Sequence, residues 1–73
     1  MDKSAFFAAV AEILEADPAG LTGAEQINDV GNWDSLSVIS FVAMVDSDMD
    51  QIVDGEQLKG AKTLNDLAAL VGL

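Results

Sequence analysis

Apolar residues in this chain recur at a spacing of three or four positions, and no segment shows the alternation of polar and apolar residues that marks a strand. Between Lys3 and Ala16, for example, Phe6, Val10 and Leu14 are four positions apart. This spacing places side chains on one face of a helix, whereas the side chains of a strand alternate between two faces. The chain is therefore predicted to be all-α, and with 51% apolar residues it can form a packed core.

The first helix is predicted from Lys3 to Ala16, because the residue before a proline is disfavoured in helices and Pro18 follows Asp17. Residues 18–34 are rich in glycine and asparagine, which predicts a long irregular loop with a short turn around Ala24 to Gln26. Three apolar residues of this loop are spaced to hold it against the core: Leu21, Ile27 and Val30.

A second helix is predicted to begin at Asp34 or Ser35, either of which can cap it, and to end near Asp48. This helix is apolar around most of its circumference, so it is either buried on two sides or in contact with something outside the protein. Its main apolar stripe is predicted to comprise Leu36, Ile39, Val42, Val45 and Met49.

Two shorter helices are predicted in the last third of the chain. One spans Glu56 to Lys59 and ends at Gly60, and the other spans Thr63 to Val71 with its leucines directed inward. Thr63 and Asp66 have the spacing of a capping box at the start of the last helix. The predicted architecture is thus a four-helix bundle, with a long loop between helices 1 and 2 and a short third helix, formed by a single domain of residues 1–73.

The charge of the chain limits its partners. Thirteen acidic residues against three lysines give a formal net charge of −10. Nucleic acids and anionic membranes repel such a chain and are not expected as partners, whereas basic patches on other proteins attract it. The same acidity would also serve simply to keep a small apolar protein in solution. No uncharged run approaches the ~20 residues of a membrane span, and the N-terminus lacks the basic start of a signal peptide, so a cytoplasmic location is expected.

The residue types that the chain lacks limit its chemistry. It contains neither His nor Cys, and therefore has no side chain that titrates near neutrality and no thiol nucleophile. We expect no enzymatic activity. Asp46, Asp48 and Asp50 resemble the start of a calcium-binding loop, but Gln51 and Gln57 stand where that loop needs glycine and glutamate. No metal site is predicted.

The segment Trp33-Asp34-Ser35-Leu36 lies where the long loop meets the second helix. In one interpretation Asp34 and Ser35 simply cap the helix, since both residue types are common at helix starts. In the other, the Ser35 hydroxyl is a site of chemistry. No His and no nearby Lys is available to act as its base, so another protein would have to modify it.

The tripeptide Asp34-Ser35-Leu36 and the layout around it resemble the acyl carrier protein family over nearly the whole chain. The shared features are the chain length, the net acidity, the long loop before the motif, and Leu58, Leu64 and Leu67 in the later helices. The resemblance implies that a phosphopantetheinyl transferase attaches 4′-phosphopantetheine from coenzyme A to Ser35, between Asp34 and Leu36. The protein would then be a monomer that carries acyl intermediates as thioesters on this arm.

By the same resemblance, the second helix would dock on basic patches of acyl-loading, acyl-transferring or condensing enzymes. The expected partner contacts are Leu36, Ser37, Ser40, Asp46 and Asp48. Ser37 and Ser40 stand where family members usually carry acidic residues, which favours a specialised secondary-metabolite or polysaccharide pathway over bulk fatty-acid synthesis. The alternative is an unmodified acidic interaction module that binds one partner through the same helix.

Four apolar residues have two possible roles. They could line a tunnel that encloses the acyl group, or they could fill the core, and core packing is the expected role. These residues are Phe41, Val45, Ile52 and Leu58.

Overall fold

The computed structural model describes residues 1–73 and contains five helices and no strand. These are α1 (Lys3–Ile13), α2 (Ile27–Val30), α3 (Ser35–Met49), α4 (Gly55–Lys59) and α5 (Leu64–Leu70). The prediction of an all-α fold is confirmed. The number of helices differs from the predicted four, because α2 forms a single helical turn within the segment predicted as an irregular loop. None of the five helices is both long enough and apolar enough to cross a bilayer.

α1 ends at Ile13, earlier than the predicted Ala16. The chain leaves the helix at Glu15, whose φ of 58° is left-handed. The amide of Glu15 donates to Glu12 O at 3.1 Å, and the amide of Ala16 donates to Ala11 O at 2.8 Å. This pair of hydrogen bonds is the Schellman ending of a helix, which usually contains glycine at the left-handed position. Because glutamate stands there instead, the early ending could not be predicted from the residue types.

The core is formed where α1 packs against α3 and α5, and where α3 packs against α4. Phe41 of α3 is fully buried, and its ring contacts Phe6 of α1 edge to face, with ring centroids 5.9 Å apart. The ring of Phe41 also contacts the ring of Trp33 edge to face, with ring centroids 6.0 Å apart. Such edge-to-face pairs add to the stability that comes from burial itself. The largest fully buried side chains are Phe6, Phe41, Ile27, Leu64, Leu67, Val10 and Val45.

The predicted inward face of α3 was partly wrong. Leu36 and Ile39 were expected in the buried stripe, but they are 71% and 65% exposed. The buried residues of α3 are Ser37, Phe41 and Val45, which are four positions apart and so lie on one side of the helix. Since α3 is apolar around most of its circumference, periodicity alone could not decide which side faces α1.

The long loop is bonded to the start of α5. Ile27 N donates to Lys62 O at 2.8 Å, Leu64 N to Glu25 O at 3.1 Å, and Asn65 N to Gly23 O at 2.8 Å. Gly23 has a φ of 101°, and a Cβ there would collide with the side chain of Asn65, so glycine is required. Ile27 is buried, as predicted, whereas Leu21 and Val30 are half-buried against the core.

Candidate functional site

The start of α3 is set by Asp34, which occupies the N-cap position. Its carboxylate oxygen Oδ1 accepts a hydrogen bond from Ser37 N at 2.9 Å, and its carbonyl accepts one from Val38 N at 3.0 Å. A side-chain oxygen at the N-cap satisfies one of the first-turn amides, which have no carbonyl partner within the helix. The predicted helix start at Asp34 or Ser35 is therefore confirmed.

Ser35 is the first residue of α3 and is exposed to solvent. It stands beside the free first-turn amides, at the positive end of the helix dipole, where an anion is favoured. Leu36, next along the helix, is also exposed. The hydroxyl of Ser35 is thus accessible to another protein and has an apolar side chain beside it.

Ser37 is buried, with only 7% of its surface exposed, which differs from its predicted role as a partner contact. Its hydroxyl Oγ donates to Asn32 O at 2.7 Å and approaches Asp34 Oδ1 at 3.1 Å. The other carboxylate oxygen of Asp34, Oδ2, accepts from Asn32 Nδ2 at 3.0 Å. Asn32, Asp34 and Ser37, called here the Ser37 cluster, therefore form one hydrogen-bonded group around the segment that precedes Ser35.

The electrostatics of the site follow from this group. The backbone amide of Ser37, and after it the Ser37 hydroxyl, hold the pKa of Asp34 below its ordinary value of 3.8, because both stabilise the charged carboxylate. Backbone amides likewise lower the pKa of Glu25, from Thr22 first, and of Asp66, from Lys62 first. These shifts lead away from neutrality, whereas a carboxylate that acts as a general base at neutral pH needs a raised pKa.

A groove runs between α3 and α4 and begins at Ser35. Trp33, Val38 and Ile39 line its α3 side, and Leu58 and Lys59 line its α4 side. This part has a volume of about 590 Å³. Beyond Val38 and Ile39 the groove continues as a second apolar hollow of about 570 Å³, along Val42, Ala43 and Ile52. The two parts share Val38, Ile39 and Gly55, so an apolar path leads from Ser35 to Ile52.

The residues considered for a tunnel lie in two different environments. Phe41, Val45 and Leu58 belong to the buried core, which agrees with the core-packing interpretation. Ile52 belongs to neither a tunnel nor the core, because it is 88% exposed. The exposure of Ile52 and of Ile39 was not predicted. Periodicity gave no signal for Ile39, because α3 is apolar around most of its circumference.

The remaining predicted partner contacts are all exposed, but they do not share one face. With about 100° between successive residues of a helix, Ser40 lies about 40° around the axis of α3 from Leu36, and Asp46 lies about 80° from Leu36 in the other direction. Asp48 lies about 120° around the axis from Leu36, toward the buried side. Asp46 and Asp48 also fall within α3, which extends to Met49, so the segment that resembled a calcium loop is helical.

Comparisons with known proteins agree with the geometry. The model of the family described as "Phosphopantetheine attachment site" matches residues 4–71, which is nearly the whole chain. Comparison with curated proteins gave no match, and comparison with solved structures gave none either.

Proposed function

Because the chain belongs to the phosphopantetheine attachment-site family, whose carrier domains bear covalently attached 4′-phosphopantetheine and are not catalysts, we propose that it is an acyl carrier protein modified at Ser35. The observation that carries this proposal is the position of Ser35. It is exposed at the first residue of α3, within Asp34-Ser35-Leu36, and opens onto an apolar groove. No other serine of the chain combines these three features.

The residues around Ser35 fit the arm. In the modification, Ser35 Oγ attacks the phosphorus of coenzyme A that bears the pantetheine, and the bond from that phosphorus to adenosine 3′,5′-bisphosphate breaks. The proton of Ser35 Oγ passes to a base of the transferase, since this chain offers none. The phosphodiester that remains is an anion at a helix N-terminus, where the first-turn amides of Ser35 and Leu36 favour it.

The arm, when bound, supplies the thiol on which an acyl group is held as a thioester. This chain contains no cysteine of its own. The protein therefore acts by presenting cargo: a tether raises the effective concentration of the bound group at the active site of a partner enzyme. Ser35 holds the tether, and the groove between α3 and α4 provides an apolar surface beside it.

The partner enzymes dock on the outer side of α3. We define the docking face as Leu36, Ile39, Ser40, Asp46 and Ile52. Its centre is apolar, because Leu36, Ile39 and Ile52 are the most exposed large hydrophobic residues of the protein. Asp46 stands at its edge, so the complementary surface is an apolar patch with a basic residue beside it. Ser37 and Asp48, which were predicted as contacts, lie outside this face.

This composition favours a specialised pathway, of the secondary-metabolite or polysaccharide kind. Of the two serines that stand in place of the usual acidic residues, Ser37 is buried and Ser40 adds no charge to the docking face. Recognition by such a face depends more on apolar contact and less on charge. This distinguishes its partners from enzymes that bind an acidic helix through charge complementarity. An unmodified interaction module remains the second candidate, since the exposed apolar side of α3 would serve it equally well.

Intact-protein mass spectrometry separates the two functions. The protein is incubated with coenzyme A and a broad-specificity phosphopantetheinyl transferase, alongside Ser35→Ala and Ser47→Ala. Ser47 is an exposed serine of the same helix and serves as the matched control. The carrier function predicts a gain of one phosphopantetheine on the wild type and on Ser47→Ala, and none on Ser35→Ala. A folded wild-type protein that gains no mass would instead support the interaction module.

A matched pair of variants, at Asp46 and Asp48, tests the docking face. Asp46 and Asp48 are both exposed aspartates near the end of α3, but only Asp46 lies on the docking face. We expect Asp46→Ser to raise the KM of the transferase for the carrier and to reduce its dependence on salt, and Asp48→Ser to leave both unchanged. Equal effects of the two variants would show that overall charge, rather than this face, governs docking.

A further inference from the structure

We propose that Ser37 is a positioning residue for the modification of Ser35: its buried hydroxyl holds the segment from Asn32 to Asp34 against the first turn of α3, and so fixes the place of the serine that reacts. This inference rests on the proposed function of Ser35. It assigns to Ser37 a role inside the attachment site, in place of the contact with partner enzymes that the sequence suggested.

The segment before Ser35 has few other anchors. The main chain of residues 32–34 makes a single backbone hydrogen bond, in which the Asp34 carbonyl accepts from Val38 N at 3.0 Å. Trp33 packs its ring on Phe41. The remaining polar connections all belong to the Ser37 cluster. The hydrogen bond from Ser37 Oγ to Asn32 O, at 2.7 Å, joins two residues five positions apart and closes the segment into a ring.

The same cluster engages both carboxylate oxygens of Asp34. Oδ1 accepts from the amide of Ser37 and lies 3.1 Å from its hydroxyl, while Oδ2 accepts from Asn32 Nδ2. A carboxylate with both oxygens engaged inside the protein serves to hold the chain, and it is less available to a cation on the transferase. The cluster thus turns the residue before Ser35 into part of a rigid support.

Rigid support matters because the transferase must bring Ser35 Oγ to the reacting phosphorus in one geometry. A segment that is already ordered avoids the entropy loss that a mobile segment incurs when it docks. The net contribution of one neutral hydrogen bond corresponds to a factor of about 2 to 10 in an equilibrium or rate. Removing the Ser37 hydroxyl should therefore lower kcat/KM for modification about 2- to 10-fold.

The test compares three variants in the transferase assay. Ser37→Ala removes the hydroxyl, Ser37→Thr keeps it, and Ser37→Cys replaces it with a weaker donor of similar size. We expect kcat/KM to fall in Ser37→Ala, to fall less in Ser37→Cys, and to return toward the wild-type value in Ser37→Thr. Ser4→Ala is the matched control, since Ser4 is an exposed serine in the first turn of α1.

A loss of overall stability must be distinguished from a loss of positioning. Thr63→Ala removes the side-chain cap of α5 and leaves residues 32–35, called here the attachment segment, unchanged. It destabilises the fold without touching the Ser37 cluster. We expect it to leave kcat/KM unchanged. A fall in kcat/KM equal to that of Ser37→Ala would overturn the positioning role, because stability alone would then explain both.

A second readout does not depend on modification. The ¹⁵N heteronuclear NOE of residues 32–35 reports fast motion of the backbone, and it should fall in Ser37→Ala but not in Thr63→Ala. Unchanged NOE values and kinetics in Ser37→Ala would refute the role of Ser37 while leaving the function of Ser35 intact. If the wild type is not modified at all, the proposed function fails, and the NOE still decides whether the cluster orders the segment.

Discussion

At Gly31 the chain passes so close to the end of α1 that a methyl group does not fit. A Cβ added there would lie 2.5 Å from the carbonyl oxygen of Leu14 and 2.7 Å from its Cβ. The φ of Gly31 is −171°, an extended conformation that any residue can adopt, so the constraint is steric. Gly31→Ala therefore tests whether the loop before the attachment segment depends on this close approach.

The size of the effect follows from the distances. An ordinary van der Waals contact begins at 3.4 Å, so the contact with Leu14 O is short by 0.9 Å (3.4 minus 2.5). The nearest atom belongs to the backbone, and either α1 or the loop must move. Overpacking of this kind costs about 1–3 kcal/mol, and the lower entropy of the unfolded alanine variant offsets ~0.4–1 kcal/mol of it. The net loss of ~1–2 kcal/mol should lower Tm by about 5–15 °C in a domain of this size.

Thermal unfolding followed by circular dichroism measures this loss, and urea unfolding gives the free energy. Gly55→Ala is the matched control, because Gly55 begins α4 and an added Cβ there meets nothing within 4 Å. Alanine is the better helix former, so the control should be as stable as the wild type or about 0.5 kcal/mol more stable. If Gly31→Ala were as stable as Gly55→Ala, the loop would have to adjust freely, and the argument from close contact would be wrong.

Three further predictions concern single side chains. Phe41→Ala removes the ring that α1 and Trp33 contact, and should cost about 3–5 kcal/mol in urea unfolding, a large part of the stability of a small domain. Thr63→Ala removes the acceptor for Asp66 N, and should cost ~1 kcal/mol by calorimetry. Asp34 has a lowered pKa in the folded state, so its stabilising effect is present above 3.8 and is lost as the pH falls through the folded value. The difference in stability between the wild type and Asp34→Ala should therefore be complete at neutral pH and shrink in strong acid.

Each of these has a clear contrary result. A loss below ~1 kcal/mol in Phe41→Ala would mean that the core closes over the missing ring. Ser4→Ala removes no observed cap and should be as stable as the wild type in calorimetry. If Ser4→Ala lost as much stability as Thr63→Ala, the loss in Thr63→Ala could not be assigned to its cap. If the difference in stability between the wild type and Asp34→Ala stayed constant down to the lowest pH, the charge of Asp34 would not contribute to the stability of the fold.

The parts of the fold that local sequence determines were predicted well. α3 was expected from Asp34 or Ser35 to Asp48 and extends over Ser35–Met49, because its N-cap residue acts within its own first turn. The capping box of Thr63 and Asp66 is also present as predicted. In both cases the partners are three positions apart, and spacing along the chain is enough to identify them.

The parts that depend on distant contacts were not predicted. Leu36 and Ile39 were placed in the core because they are apolar, but which side of α3 is covered depends on where α1 and α4 pack. The burial of Ser37 could not be seen either, since its hydroxyl bonds to Asn32 O only when the loop has its folded path. On a helix that is apolar around most of its circumference, the tertiary structure is thus needed to tell which residues belong to the core and which to an exposed site.

The hydrogen bonds between residues 23–27 and 62–65 also bear on when, during synthesis, this loop becomes ordered. The backbone hydrogen bonds of α1 and α3 need no partner from later in the chain, because they are local. The loop that leads into the attachment segment acquires its backbone partners only after Lys62 and α5 have emerged. We therefore expect the loop over residues 23–27 to become ordered only on a chain that has been synthesised through α5.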